Sequence, residues 1–445
     1  MKIRSAATDL MPWAFAALLA LGAMYVLGSG RDLSQQFQSL MRSVPTERSA
    51  VMIWVQRGVS LLLIAAALGQ FTRHFAQHRR LPSVTLLCAF VLYWTGTVGM
   101  PMVFAAYPVI SHEYLYSLVF GIAVCMVDDT ERERIVHTAR NALFALMLVG
   151  LALIPVSSAM VLDTGYSQGI IAGLPRFGGL TPHPVTQGML AQVALLVLWC
   201  HPYPRRWLNA AAWMLGLSVL FLAQSKTAWI AFAACALLLM VLRGGGAFWR
   251  RLGDPRSGGF GVLACTVLML AVLGLAGWVL VGDAFGQAAA FVDSSEGAQL
   301  MSLTGRDRIW VAAWQEWEQN PVFGYGLSIW DAAYRAAIGM PQATHAHNQF
   351  LDDLARAGTI GATALVLYAL VLLGFSIRAV RASGGLSLAL FVTIALRSIS
   401  EAPLSLEGYG MELFTHLLLV ALVAGASTQG QAAARPAPLR FGVAS

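Results

Sequence analysis

The chain has 445 residues, of which 58% belong to the AVILMFWYC set and only 11% are Asp, Glu, Lys or Arg. An ordinary globular chain carries roughly 25% charged residues, so this one lacks the polar surface to wrap a water-soluble core, and a soluble enzyme is excluded. The 29 Lys+Arg against 22 Asp+Glu give a formal charge of +7, but the basic residues come in small groups between apolar runs, a pattern of membrane topology rather than of nucleic-acid binding.

In chain order, the apolar runs long enough to cross ~30 Å of hydrocarbon predict twelve spans: Met11–Ser29, Met52–Phe71, Val84–Met102, Tyr114–Val127, Ala142–Met160, Val185–Cys200, Trp207–Ala223, Thr227–Leu242, Phe260–Val281, Thr359–Phe375, Leu386–Ile399 and Tyr409–Ala426. The first follows Arg4 but lacks an A-x-A site before Gly30, so it reads as an uncleaved span rather than a signal peptide. Tyr114–Val127 and Leu386–Ile399 are short and need tilt or flanking residues to complete them. All five cysteines, Cys88, Cys125, Cys200, Cys235 and Cys265, lie in apolar segments, which indicates neither a disulfide framework nor a zinc site. Lys and Arg are in excess on the side of the N-terminus, which puts both termini in the cytoplasm. The expected fold is an all-α polytopic membrane protein with about 12 transmembrane helices and one large external loop containing short helices. Spans 1–9 fill residues 1–281, the loop 282–358, spans 10–12 residues 359–426, and a disordered cytoplasmic tail 427–445.

Loops as long as 282–358 are usually functional or disordered, and the content of this one favours function. Arg306–Gln319 has an amphipathic helical pattern with Trp310, Trp314 and Trp317 on one face, ended by Asn320-Pro321. The tryptophans read either as an interfacial aromatic belt or as a sugar-stacking or lipid-lining face.

The most informative stretch is Thr344 to Gly361. Thr344 is the expected N-cap, with His347 in the first turn of a helix that continues into span 10. His347, Leu351, Leu354, Gly358 and Gly361 then share one stripe that points into the protein, and the glycines let another helix approach. A histidine there is either a hydrogen-bonded structural residue or a general base. The positive potential of a helix start favours the neutral imidazole that a base needs and attracts phosphate. His345-x-His347 followed by Asp352 and Asp353 has the residue types of a metal site, but helical geometry turns His347 and Asp353 to different sides, and no metal is expected.

Cations form a second group: Arg176, Lys226, Arg306 and Arg308. Each alone fits snorkelling or a surface ion pair. Lys226, however, sits between two apolar spans with almost no loop, where an unpaired charge is usually functional. Several such cations converging on one site would clamp a diphosphate.

These residues resemble the O-antigen ligase family of bacterial envelope enzymes, which includes the O-antigen polymerases and protein O-oligosaccharyltransferases. The family's hallmark, a His then Asn, Ser or Gln, nine residues, Gly, two residues and a further Gly, Thr or Tyr, is complete as His347-Asn348, Gln349 to Ala357, Gly358, Thr359-Ile360 and Gly361. It is accompanied by a Gly-Arg pair before a tryptophan (Gly305, Arg306, Trp310), a Pro-x-x-Gly-x-Gly turn (Pro321, Gly324, Gly326) and a Ser-basic-Thr start to a middle span (Ser225, Lys226, Thr227), where the family often has arginine. The resemblance implies a reaction on the periplasmic side of the inner membrane, with the large loop periplasmic. A polysaccharide carried on undecaprenyl diphosphate is moved onto a sugar hydroxyl of lipid A–core, with inversion and without nucleotide sugar, metal or other cofactor. His347 would be the base, Arg306, Lys226 and Arg176 would hold the diphosphate with Arg308 in the same group, and His345, Asn348 and Asp352 would orient. A glycosyl diphosphate already carries a good leaving group, so one neutral base and a few cations suffice.

Two rival readings remain. An O-antigen polymerase uses the same donor chemistry; a single dominant late loop favours the ligase. A twelve-span secondary transporter would carry ionisable residues inside its spans and matching broken helices in its two halves. Only Arg57 and His416 are basic and well inside spans, and no matching interruptions are seen.

Overall fold

A computed structural model of the chain describes residues 9–35, 50–78, 81–165, 173–253, 306–341 and 343–433. They form α1 (Met11–Ser29), α2 (Ala50–Ala76), α3 (Val84–Phe104), α4 (Tyr114–Cys125), α5 (Asp129–Ala152), α6 (Pro184–Cys200), α7 (Arg206–Leu222), α8 (Lys226–Gly253), α9 (Arg306–Gln319), α10 (Ala332–Ala337), α11 (Gln349–Arg378), α12 (Leu386–Ser398) and α13 (Met411–Ala433). Among the described residues one short antiparallel pair accompanies them, β1 (Leu162–Asp163) with β2 (Arg176–Phe177). Seven helices, α1, α2, α3, α5, α8, α11 and α13, are long and apolar enough to cross a membrane, and α4, α6, α7 and α12 are shorter apolar helices. The protein is thus an all-α polytopic membrane protein. Each predicted span meets one of these helices except the ninth, Phe260–Val281, which lies outside the described residues.

Two boundaries differ from the sequence expectation. The fifth span, expected over Ala142–Met160, is a helix over Asp129–Ala152. A capping box starts it early, with Asp128 accepting from the Glu131 N–H and Glu131 accepting from the Asp128 N–H. The arginines expected in a loop are instead helical and paired, Arg132 to Asp129 at 2.8 Å and Arg140 to the His201 carbonyl at 2.6 Å. Pro155 then prevents continuation to Met160. The last helix runs to Ala433, so the start of the expected disordered tail is helical.

Burial locates the centre of the bundle. Gln187–Leu198 of α6 and Leu413–Ala426 of α13 are buried on every face, so these two helices are wrapped by the others, and close packing rather than water exclusion holds them within a bilayer. In α3, Pro101 offers no N–H to the Thr97 carbonyl, and the helix widens into a π-turn over Thr95–Gly99. That turn lies against α11 so closely that a Cβ on Gly96 would stand 2.6 Å from the Ala364 methyl.

The arrangement of α11 decides the position of the site. The helix is broken at Gly358 (φ 65°, ψ −161°), a conformation reserved for glycine. The break frees the carbonyls of Ala355 and Arg356, which accept from the N–H groups of Tyr325 (2.8 Å) and Gly326 (3.0 Å), while the N–H of Thr359 donates to the Pro321 carbonyl (2.8 Å). The Pro321–Gly326 turn is therefore plugged into the gap in α11. Its glycines are required by the fit: a Cβ on Gly324 (φ 73°) would sit 2.5 Å from the Arg356 carbonyl carbon, and one on Gly326 (φ 121°) 2.4 Å from the Tyr107 oxygen. The expected stripe from His347 to Gly361 is thus interrupted at Gly358, although both glycines do mark close approaches, Gly358 to the Val322 backbone and Gly361 to the Gly96 carbonyl.

Gly358→Ala should destabilise the protein by about 2–4 kcal/mol, since strain of this kind costs roughly 1–3 kcal/mol and its Cβ would also meet the Val322 oxygen at 2.3 Å. Gly374→Ala, in the same helix with open space around it, should be neutral or better. Thermal unfolding of both variants in detergent checks this; equal melting temperatures would contradict it.

Candidate functional site

At one end of the bundle the start of α11 meets the turn between α12 and α13. The His345-Ala346-His347 segment precedes α11 and is not helical. Asn348 is the N-cap, its Oδ1 accepting from the Leu351 N–H at 3.1 Å, in place of the expected Thr344. His347 lies outside the helix in the left-handed region (φ 50°), so the expectation that it occupies the first helical turn is corrected. Side chains impose this shape: His345 Nδ1 accepts from the His347 N–H (3.1 Å), Asp352 Oδ1 accepts from the Ala346 N–H (2.7 Å), and the Trp310 indole N–H donates to the Ala346 carbonyl (2.9 Å). Trp317 is likewise an anchor, its indole N–H on Thr359 Oγ1 at 3.1 Å, whereas Trp314 is exposed.

The turn facing these histidines carries Glu401. Its Oε2 lies 3.0 Å from His345 Nε2 and 3.3 Å from His347 Nδ1, and its Oε1 lies 3.5 Å from Arg306 Nη2. The two imidazoles stand edge to face with centroids 4.0 Å apart. Gln349 fixes the register between the two segments, accepting from the Leu404 N–H at 2.8 Å and donating to Asp353 at 3.1 Å, while Asn348 Nδ2 donates to the Ile399 carbonyl at 3.4 Å.

Burial raises the cost of a charge on each of these groups, and the neighbours then separate them. The Glu401 carboxyl would be pushed up by burial, but its close contacts with His345 and His347 hold it well below the usual carboxylate range. Burial alone would lower His345, yet Glu401 outweighs it, and the imidazole titrates above its ordinary value. For His347 burial dominates, and the charges of His345 and Arg306 add to it, so this ring titrates below its ordinary value despite Glu401. The two imidazoles are thereby pushed in opposite directions, His345 toward the charged form and His347 toward the neutral one.

The remaining predicted residues are distributed as follows. Asp352 is buried and paired with Arg356 (2.7 Å), which also pairs with Glu407 (3.0 Å), so it supports the segment and does not face the histidines as a third ligand. Arg308 is exposed in the first turn of α9 and makes no hydrogen bond or ion pair with the described residues. Arg176 is buried in β2, its Nε donating to the Ala223 carbonyl at 2.8 Å, which ties it to the turn that opens α8 at the exposed Lys226. His183, the N-cap of α6, feels the charges of Arg176, Glu401, His347 and Arg31, and so links that turn to the histidine pair; burial and then Arg176 lower its pKa. Arg31 staples the same region with four carbonyl contacts, Met160, Gly179, Thr181 and Pro182, at 2.8–3.0 Å.

Sequence reasoning missed Glu401, His183, Arg31 and Arg397. Arg397 is 6% exposed, its Nε is buried without a hydrogen-bond partner among the described residues, and the charges of Glu401 and Glu412 act on it. A charged residue at the end of a predicted span was the available signal for Arg397 and Glu401. Chemically, the cluster offers a neutral imidazole beside a carboxylate, with cations around it. His345, His347 and Glu401 also each present a ligand atom within 4.8 Å of the others, a spacing that a divalent metal could bridge, although the Arg306 guanidinium beside Glu401 opposes a second cation there.

A family model described as O-antigen ligase matches residues 210–366, a segment that contains Lys226, Arg306, His345 and His347 and ends before Glu401. No curated protein matches the chain significantly.

The charges give the pair a pH window. The raised pKa of His345 makes its contribution to stability complete below the ordinary imidazole range and lost as pH rises through the raised value. The lowered pKa of Glu401 makes its contribution present above the ordinary carboxylate range and lost as pH falls toward the lowered one. The melting-temperature gap between wild type and Glu401→Gln should therefore be widest at about pH 5–6, between the ordinary values of the two groups, and narrower at about pH 9. A gap independent of pH would contradict the pairing.

Proposed function

We propose, from the match of residues 210–366 to a family model described as O-antigen ligase, that the chain is a member of that family and transfers a polysaccharide from undecaprenyl diphosphate to a sugar hydroxyl of lipid A–core. The family supports an O-antigen ligase or polymerase type of glycosyl transfer in the membrane; the ligase reaction, the orientation with both termini cytoplasmic, and the residue roles are our reading. The observation that carries it is the Glu401 carboxylate bridging His345, His347 and Arg306.

In this reading His347 Nδ1 faces Glu401, which leaves Nε2 to take the proton of the acceptor hydroxyl, the arrangement by which a carboxylate orients a catalytic imidazole. The acceptor oxygen bonds to the anomeric carbon as the bond from that carbon to the diphosphate oxygen breaks, with inversion. The electron pair leaves with the diphosphate, whose charge is met by Arg306, Lys226 and Arg176, and by Arg397, whose buried Nε has no hydrogen-bond partner among the described residues. His345, pushed toward the imidazolium by Glu401, fixes that carboxylate and favours the neutral form of its neighbour. The proton on His347 then passes to water.

His347→Ala should lower transfer by at least about 10²-fold, the usual worth of a positioned base, without loss of fold. Arg306→Ala should be similarly crippled and Arg306→Lys only partly restored, because lysine lacks the bidentate fork, whereas Arg308→Ala should stay within a few-fold of wild type. Purified protein with lipid-linked donor and lipid A–core reads all four, and equal behaviour of Arg306→Ala and Arg308→Ala would overturn the clamp. Transfer should also survive excess EDTA; complete loss restored by one added metal would turn His345, His347 and Glu401 into a metal site. Deleting the gene separates the two family activities on a lipopolysaccharide gel: uncapped core with retained lipid-linked polymer supports the ligase, and single-repeat product the polymerase.

A further inference from the structure

Beside the histidine site, the last turns of α1, the first turns of α2 and the start of α13 enclose a partly open cavity of about 360 Å³. This lies toward the lower end of the roughly 300–1,000 Å³ of small-molecule sites. Its polar and aromatic lining comes from Tyr25, Gln56, Ser405, Glu407, Tyr409 and Glu412, and among the described residues no Lys, Arg or His lines it. The cavity shares the α12–α13 turn with Glu401, and the charge of Glu412 reaches both His345 and Arg397.

We propose that this cavity is the subsite for a neutral sugar of the acceptor, with Glu412 as its specificity-determining hydrogen-bond acceptor; this rests on the transfer reaction proposed above. Most of the polar wall is already engaged. Glu407 pairs with Arg356 at 3.0 Å, Gln56 donates to Glu113 at 3.3 Å, and the Tyr409 hydroxyl bonds Ser60. Glu412 is exposed and has no hydrogen bond or ion pair among the described residues. A carboxylate is an acceptor only, with two oxygens, and a vicinal diol presents two O–H donors at matching spacing. Tyr25, 52% exposed, offers a ring face of the kind that packs against the C–H face of a sugar ring, an amphipathic surface with a polar end. Among the described lining residues no cation stands to hold a phosphate or an acidic sugar of the same glycolipid, and the Glu412 carboxylate would repel either. The donor diphosphate and the acceptor sugar are thereby sorted by charge: the cationic side of the site faces one and the anionic cavity the other.

The test uses full-length protein in nanodiscs with Glu412→Ala and Glu412→Gln. With donor saturating, Glu412→Ala should raise KM for lipid A–core at least about tenfold while kcat and donor KM stay within about twofold, and Glu412→Gln, which keeps one acceptor oxygen, should fall between. An unchanged acceptor KM, or an equal rise in donor KM, would overturn the subsite while leaving the transfer reaction standing; no transfer by the wild type would overturn the reaction instead. A measurement independent of turnover is titration of the lipid-free core oligosaccharide against wild type and Glu412→Ala without donor. Binding should weaken about tenfold in the variant. Equal binding, or displacement of the oligosaccharide by spermidine, would make the cavity something other than a neutral-sugar site.

Discussion

The arrangement depends on one buried carboxylate. Glu401 is largely shielded from water, and a charge in that position is tolerated only with partners close by. It has three, from two distant stretches of chain: His345 and His347 at 3.0 and 3.3 Å, and Arg306 at 3.5 Å. The need to satisfy that charge holds the loop before α11 against the turn after α12. Around it, each local feature keeps the histidines out of regular structure: Asn348 caps α11 so that the helix begins only at Gln349, Asp352 takes the Ala346 N–H, and Gln349 binds the turn that carries Glu401. Arg356 is tied to both sides, to Asp352 within α11 and to Glu407 in the turn.

The same carboxylate divides two chemically identical rings into different states. Proximity to Glu401 outweighs burial for His345 and does not for His347, whose neighbours are also cationic. Such a split is the usual way for one site to offer a charged group and a free base together near neutral pH. The broken helix α11 serves this arrangement from below. Its gap at Gly358 is filled by the Pro321–Gly326 turn, which fixes α9, and with it Arg306, relative to the histidines.

Much of this was legible in the sequence, in proportion to how local each signal is. Span positions are set by runs of apolar residues, so the expected spans from Met11–Ser29 to Tyr409–Ala426 meet helices wherever residues are described. Boundaries set by capping are less visible: the Asp128/Glu131 box and Asn348 compete with equally plausible alternatives such as Thr344, and only tertiary hydrogen bonds decide between them. His345, His347 and Arg306 were found because they stand in polar motifs. Glu401 was not, because its partners lie across two helices, and no periodicity connects them. Arg308 was grouped with Arg306 on sequence proximity, but residues two apart on a helix face different ways, and it is Arg306 that reaches Glu401.

The central claim, that Glu401 raises the titration of His345 while burial and neighbouring cations keep that of His347 low, is tested most directly by an NMR titration of the protein with ¹⁵N-labelled histidine, the two signals assigned with His345→Gln and His347→Gln. The account predicts that His345 titrates above and His347 below the ordinary imidazole value of about 6.5, and that Glu401→Gln brings His345 down. Two rings titrating together at the ordinary value, or in the reverse order, would contradict it.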